Sequence, residues 1–164
     1  MATNTSFISP NQFAPLPTVG MCLNPASGQR LEVEYFPSDD DTTIGVCAPC
    51  KFVAGTGNIN LCADIITSDA EVPTAGVLIY DSSKRNTYSA KQIMTVARVG
   101  SIVMLQASAA VTANQEVSIA PAGTVAPAAA GKNVIGYALT SAGVKENTRV
   151  LIIEPYAKAA ASGG

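Results

Sequence analysis

The sequence predicts an all-β protein, a compact small β-barrel or tulip-like sandwich that carries an extended N-terminal arm. Short apolar runs recur from residue 31 to residue 153, and turn-forming residues separate them, as in small all-β domains. The first 30 residues lack this rhythm and contain Pro10, Pro15, Pro17 and Pro25. The chain therefore divides into an arm over 1–30, a β-rich domain over 31–156 and a mobile Ala/Ser/Gly tail over 157–164.

The N-terminal arm is expected to lie along a neighbouring subunit. Proline lacks the amide N–H that sheets and helices use, so this segment is predicted to be extended. Apolar side chains recur through it, which argues against a terminus that is only solvated, the alternative interpretation. The candidate interface residues are Phe7, Ile8, Phe13, Leu16, Val19, Met21 and Leu23.

The first half of the β-rich domain contains four predicted strands, over residues 31–36, 44–53, 59–67 and 77–80. Pro49 lies within the second of them and indicates an edge or a bulge. The Asp run at 39–41 lacks the later Gly and Glu of a calcium-binding loop, so it is interpreted as a solvated turn. Residues 81–88 are polar and are predicted to form a hairpin loop.

The second half contains four more predicted strands, over residues 96–105, 111–119, 133–139 and 148–153. Gly136 lies inside the third of them, where a glycine indicates a bulge or a close backbone contact. Pro121 and Gly123 mark a turn. Residues 126–131 are predicted to be a loop, because Pro127 and Gly131 bracket too few residues for a stable helix.

The composition is poor in charge. The chain is 48% hydrophobic and 13% charged, against about 25% in an average soluble domain. This predicts either a core of small residues or a surface that neighbouring subunits cover. The net charge is −2 and the ten basic residues are dispersed, so no nucleic acid is expected as a partner.

The N-terminus has neither the basic nor the apolar region of a secretory signal, and no apolar run approaches the ~18–20 residues of a membrane helix. The sequence therefore predicts synthesis in a cytosol and no membrane partner.

Four cysteines lie at positions 22, 47, 50 and 62. Cys47 and Cys50 form a C-x-x-C pair, but a redox pair of the thioredoxin kind opens a helix, and strand-like residues flank this one. Zinc binding would need Cys22 and Cys62 as two further, isolated ligands. The favoured interpretation is reduced cysteines that serve as small apolar residues, with a disulfide as an alternative in an oxidising medium.

Catalytic groups are scarce in this sequence. The chain contains no histidine, which rules out Ser-His-Asp and Cys-His arrangements and removes the commonest metal ligand. Glu32 and Glu34 are expected to face solvent, and Asp64 alone has an apolar setting. The sequence predicts no catalytic residues, no cofactor and no metal, hence a protein that is not an enzyme.

The order of turns and short strands over residues 60–154 resembles the capsid cement, or decoration, proteins of tailed bacteriophages. The resemblance is carried by Asp64-Ile-Ile-Thr, Gly76-Val-Leu-Ile-Tyr, Val99-Gly-Ser-Ile-Val-Met-Leu, Val111-Thr-Ala-Asn-Gln-Glu-Val, Ile135-Gly-Tyr-Ala-Leu and Arg149-Val-Leu-Ile. In that family a turn of the form Thr-Ala-Gly-Asp leads into a strand. Asn114 and Gln115 stand here where the family often has Gly-Asp.

The resemblance implies a non-enzymatic virion protein on the outer surface of the capsid, synthesised in the host cytoplasm. It would bind where major capsid proteins meet, as a homotrimer with neighbouring copies of itself, and stabilise the head. The alternatives are another phage structural β-protein such as a tail tube subunit, or a surface module that binds glycans or receptors. Glycan binding usually uses exposed aromatic rings, and the chain has five Tyr, four Phe and no Trp.

Overall fold

The computed structural model describes residues 18–24, 29–38, 43–55, 61–80 and 87–159. Within these ranges the chain forms twelve β-strands and no helix, which confirms the all-β prediction, and ten of the strands close into two barrels. The strands are β1 Arg30–Tyr35, β2 Ile44–Gly45, β3 Pro49–Val53, β4 Cys62–Ile65, β5 Gly76–Ile79, β6 Thr87–Tyr88, β7 Ile93–Ala97, β8 Ile102–Ala107, β9 Glu116–Ile119, β10 Thr124–Pro127, β11 Asn133–Ala138 and β12 Asn147–Ala157. None of the described segments is a helix of the length and apolarity that a membrane span requires.

Barrel one is built from β1, β3, β4, β5 and β7, and barrel two from β8 to β12. We count the five strands of each barrel in chain order. In both barrels the first strand pairs in parallel with the third and antiparallel with the fifth. The second strand pairs with the third and the fourth, and the fourth also pairs with the fifth. The two barrels therefore share one strand topology, repeated along the chain. The short strands β2 and β6 pair with each other outside the barrels.

Each barrel has a core of alternating apolar side chains. Barrel one buries Val33, Tyr35, Cys50, Leu78, Met94 and Val96. Barrel two buries Val103, Leu105, Val117, Val125, Ile135 and Val150. Because successive strand residues point to opposite faces, these positions define the inner face of each strand, and their neighbours define the outer face.

The outer side of barrel one packs against barrel two. Leu78 and Val96 point into barrel one, whereas Val77, Ile79 and Ala97 on the same strands belong to the core of barrel two. This explains why Gly76–Ile79 is buried at every position. The two barrels are thus joined by a continuous apolar contact.

The loop at residues 69–71 of barrel one also contacts barrel two through polar groups. The ammonium of Lys132 forms a 2.6 Å salt bridge with Asp69, and the Asn133 amide donates a 3.0 Å hydrogen bond to the carbonyl of Glu71. Glu71 in turn accepts hydrogen bonds from the backbone N–H of Thr67 and the ammonium of Lys51. The Glu71 carboxylate therefore fixes the conformation of the loop that contacts barrel two.

The prediction of one strand over residues 96–105 is wrong. The chain leaves barrel one at Ala97, turns at Gly100, whose φ is 88°, and enters barrel two at Ile102. The Ser101 N–H donates to the carbonyl of Arg98 and closes this turn. The apolar residues on both sides of this turn are buried, so the sequence pattern hides the change of barrel.

Two other predicted strand boundaries differ from the structure. The predicted strand 44–53 breaks at Cys47, which has a φ of 76°. Strand β10 includes Ala126 and Pro127, where a loop was predicted. The bulge predicted at Gly136 is confirmed, since the pairing of β11 shifts register between Val134 and Gly136.

Three turns that precede strands share one construction. In each, one residue has a positive φ and the next side chain accepts a hydrogen bond from the backbone N–H three residues earlier. The positive-φ residues are Lys91, Asn114 and Lys145, with φ of 65°, 66° and 67°. The accepting side chains are Gln92, Gln115 and Glu146, at 3.0, 2.9 and 2.6 Å from the nitrogens of Ser89, Thr112 and Gly143.

Candidate interaction face

Of the predicted arm residues, Val19, Met21 and Leu23 lie in the described chain, whereas Phe7, Ile8, Phe13 and Leu16 lie outside the described residues. The segment 18–24 runs antiparallel to β8 of its own barrel two. The Gly20 N–H donates to the Met104 carbonyl at 2.8 Å, and the Leu23 N–H donates to the Ile102 carbonyl at 2.7 Å. Contact of these residues with a neighbouring subunit stays a prediction.

From Met21 to Leu23 the side chains alternate like those of a strand. Cys22 pairs with Val103 and packs against the core of barrel two. Met21 and Leu23 therefore point outward beside β8. Asn24 fixes the end of the segment, because its side chain accepts from the Ile102 N–H at 2.6 Å and donates to the Gly100 carbonyl at 2.8 Å.

Met21 and Leu23 border an apolar patch, here called the outer face, on strands β8, β12 and β11. The register pairs Ile102 with Leu151 and Leu151 with Tyr137, and each of these is half-buried. The solvated side of an antiparallel sheet usually carries polar residues. The outer face consists of Met21, Leu23, Ile102, Tyr137, Leu139 and Leu151.

An open groove of about 400 Å³ crosses the outer face and is lined by Leu23, Ile102, Leu139, Thr140 and Arg149. Leu139 leaves 36% of its surface exposed there. The Thr140 hydroxyl accepts from the Arg149 N–H at 3.1 Å and fixes this part of the β11–β12 hairpin. Arg149 has no salt-bridge partner among the described residues, so its guanidinium can donate hydrogen bonds to whatever lies in the groove.

A polar cluster bounds the outer face on the side of β9. Glu116 accepts a 2.6 Å hydrogen bond from the Tyr156 hydroxyl and forms a 2.8 Å salt bridge with Lys158. The hydrogen bond to Glu116 raises the pKa of Tyr156 to about 12, and the Lys158 hydrogen bond lowers the pKa of Glu116. The polar groups of this cluster bond to one another within the chain. The apolar groove beside it is open to solvent.

A second cavity, of about 310 Å³, lies where the 69–73 loop meets barrel two. Its lining includes Asp69, Lys132, Asn133, Ser118 and Thr124. The charges of Asp69 and Lys132 neutralise each other in the salt bridge described above. Asp69, Lys132 and Asn133 make the polar contact between the two barrels.

The C-x-x-C pair lies in a turn and the strand after it. Burial raises the pKa of Cys47 to about 12, and burial followed by the charge of Asp64 raises the pKa of Cys50 to about 12. A thiol needs a lowered pKa to act as a nucleophile or a redox centre near neutral pH. Among the described residues, no three His, Cys, Asp or Glu side chains are grouped to hold a metal ion.

The carboxylates that the sequence singled out differ in their exposure. The prediction that Glu34 faces solvent is wrong, since it is 9% exposed, whereas Glu32 is exposed. Asp64 is 7% exposed and accepts from the N–H groups of Ile65 at 2.7 Å and Ser38 at 3.3 Å. These bonds hold backbone in place.

The sequence analysis places Ile102, Tyr137, Leu139 and Leu151 in strands, but it does not identify the apolar outer face that they form. A signal was present. Leu151 stands between Val150 and Ile152, so apolar residues occupy both faces of β12. A strand that is apolar on both faces in a barrel needs cover on its outside as well as its inside.

Comparison with known proteins gives a fold relationship. No protein-family model matches the chain, and no curated protein matches it by sequence. Among solved structures, it is similar to the N base of the head fiber gp8.5 of bacteriophage phi29. That similarity has a TM-score of 0.52 and 11% sequence identity, and it covers 77% of this chain and 96% of that one. At this identity the similarity shows a shared fold.

Proposed function

We propose that this chain is a non-enzymatic structural protein of a phage virion. It binds the outside of the head where major capsid proteins meet and stabilises the capsid. The fold it shares with the phi29 head fiber N base, over 96% of that chain, is the observation that carries the proposal. A chain that is only 13% charged, an apolar outer face and two thiols whose pKa burial raises support a binding role over a chemical one.

Such a protein acts by mass action. A subunit that binds only the assembled capsid lowers the free energy of that state by its own binding free energy. Many copies on one lattice multiply the effect, and contacts between neighbouring copies raise the effective concentration of each. The protein then requires shape and surface complementarity, with no reactive group.

Co-sedimentation with capsids that lack the protein tests the proposal. We expect saturable binding at a fixed ratio to the major capsid protein, and a higher temperature of capsid disruption once binding is saturated. Failure to bind, combined with self-assembly into tubes or rings in negative-stain images, would instead identify a tail tube subunit.

A further inference from the structure

We infer that the outer face of barrel two binds the open end of barrel one in a second copy of this chain, so that copies join head to tail. The name open end denotes the end of barrel one that carries Leu31 and Phe52. This contact repeats, between two chains, the packing that joins the two barrels within one chain. It goes beyond the proposed function, because it requires nothing of a capsid.

The two barrels correspond residue by residue, because their backbone hydrogen bonds repeat. The repeated donor and acceptor pairs, all at 2.6 or 2.7 Å, are Lys91 to Tyr35 with Lys145 to Ala107, and Cys47 to Leu78 with Asn114 to Ala138. Cys47 and Asn114 also share a positive φ, of 76° and 66°. Equivalent positions can therefore be counted from these bonds along each strand.

The outer face lies at the positions by which barrel one packs on barrel two. Ala97 and Leu151 each lie six residues after the matched lysines, so they are equivalent. Val77 pairs with Ala97 as Tyr137 pairs with Leu151, and the same register continues two residues further along β5 and β11. The equivalent residues are therefore Ala97 with Leu151, Val77 with Tyr137 and Ile79 with Leu139.

These equivalent positions have different surroundings in the two barrels. Val77, Ile79 and Ala97 are fully buried, because they pack in the core of barrel two. Their counterparts in barrel two are half-buried or, at Leu139, exposed. Barrel two thus presents to solvent the same three positions that dock barrel one on its neighbour.

Barrel two receives the docked side chains at the end where a turn joins β9 to β10. A Cβ added to Gly123 in that turn would lie 2.7 Å from the carbonyl oxygen of Cys47, so the turn lies against barrel one. Val103 and Ile119, at the same end, are buried in one cluster with the docked side chains. Barrel one therefore covers this end of barrel two.

Barrel one has an equivalent end that is less well covered. Counted from the matched ends of β1 and β8, Leu31 corresponds to Val103. The pairings of β3 with β4 and of β9 with β10 make Phe52 correspond to Ile119. Leu31 is half-buried and Phe52 is 36% exposed, with the Arg98 guanidinium 5.5 Å from the centre of its ring. Each is more exposed than its counterpart in barrel two.

One molecule therefore carries both halves of the contact between barrels a second time, on two separate surfaces. Leu139 and Phe52 are both exposed in the folded chain, so these surfaces do not meet within one copy. A contact between different surfaces of identical subunits is heterologous, and it forms a ring or an open filament. Burial of the apolar side chains on both surfaces favours the association.

Full-length variants that lose one half of the contact test the inference. Leu139→Asp disables the outer face and Phe52→Asp disables the open end, since each places a carboxylate in an apolar contact. Val144→Asp is the matched control, because Val144 is 59% exposed in the β11–β12 hairpin but lies outside the outer face. Sedimentation velocity reports the mass, and the thermal transition of each variant reports that it folds.

We expect the wild type and Val144→Asp to form dimers and larger species at high micromolar concentration. Leu139→Asp and Phe52→Asp should each associate roughly tenfold to a hundredfold more weakly, because apolar area is lost from the contact. Mixed, they should form a pair and nothing larger, since one keeps a working open end and the other a working outer face. A monomeric wild type, undiminished association of either variant, or a mixture that stays monomeric would overturn the inference.

A photo-crosslinker in place of Leu139, in the otherwise unchanged chain, gives a second readout. We expect it to reach the residues around Leu31 and Phe52 of another copy, which a mixture of isotopically light and heavy chains distinguishes from contacts within one chain. Crosslinks to the N-terminal residues of the same chain would identify another occupant and overturn the inference. Both experiments omit capsids, so failed association leaves the proposed capsid role standing, and failed capsid binding leaves this inference standing.

Discussion

Gly123 shows how one residue ties the two barrels together. Its φ is 78°, and a Cβ added there would lie 2.7 Å from the carbonyl oxygen of Cys47. Gly131 has nearly the same φ, 77°, with nothing within 4 Å of the added Cβ. The two glycines share the same backbone demand and differ only in whether the other barrel's turn lies against them.

We therefore expect Gly123→Ala to destabilise the protein more than Gly131→Ala. Both pay about 1 kcal/mol for an alanine with positive φ, and only Gly123→Ala adds a steric cost of about 1–3 kcal/mol. Denaturant unfolding of both variants measures the difference. Equal losses of stability would mean that the contact between Gly123 and Cys47 contributes nothing.

The thiols allow a second prediction at the residue scale. Raising the pKa of Cys47 from 9.0 to about 12 lowers its thiolate fraction at neutral pH roughly a thousandfold. In the native protein, a thiol reagent should modify half-buried Cys22 first, and Cys47 and Cys50 only as the protein unfolds. Cys22→Ser should remove the fast phase. Rapid native labelling of Cys47 or Cys50 would restore the redox interpretation.

At the scale of elements, the 67–71 turn depends on the ionised form of Glu71. The hydrogen bond from Lys51, followed by that from the Thr67 N–H, lowers the pKa of Glu71 from 4.5 to about 2. Because the folded pKa lies below the unfolded one, the carboxylate stabilises the fold above pH 4.5, and this contribution fades as the pH falls toward 2.

Glu71→Gln should therefore lower the melting temperature above pH 4.5, and the difference from wild type should shrink toward pH 2. Melting curves across this pH range measure it, with Glu154→Gln on the exposed part of β12 as the control. A difference between wild type and Glu71→Gln that stays constant with pH would show that the hydrogen bonds, and not the charge, carry the effect.

Two identical barrel topologies in one chain raise the question of whether they unfold as one unit. Val77, Ile79 and Ala97 belong to strands of barrel one but pack in the core of barrel two. Loss of either barrel exposes these side chains. The whole molecule should therefore behave as a single cooperative unit, despite its internal repeat.

Ile79→Ala tests this cooperativity. Removing a fully buried isoleucine costs about 2–5 kcal/mol, and hydrogen exchange should rise together in peptides from both barrels. Leu139→Ala, at an exposed position, should change stability far less. Two separate unfolding transitions, or faster exchange confined to barrel one, would show that the barrels are independent.

Local patterns in the sequence predicted much of this protein. The strand predicted near residues 31–36, the bulge at Gly136 and the turn at 121–123 follow from the local preferences of a few residues, and all three are present, although the burial of Glu34 interrupts the alternation expected in the strand. The absence of histidine excludes Ser-His-Asp and Cys-His catalytic arrangements, and this can be read from the sequence alone.

Tertiary structure alone decided which residues meet. The run 96–105 is largely apolar, yet it crosses from one barrel to the other at Gly100, and the apolar pattern alone does not reveal that change. The outer face joins Met21 and Leu23 to residues 102, 137, 139 and 151, which are far apart in sequence. The alternation of residues predicts that a strand has two faces, but only the closure of each barrel determines which face packs inside and which faces outward.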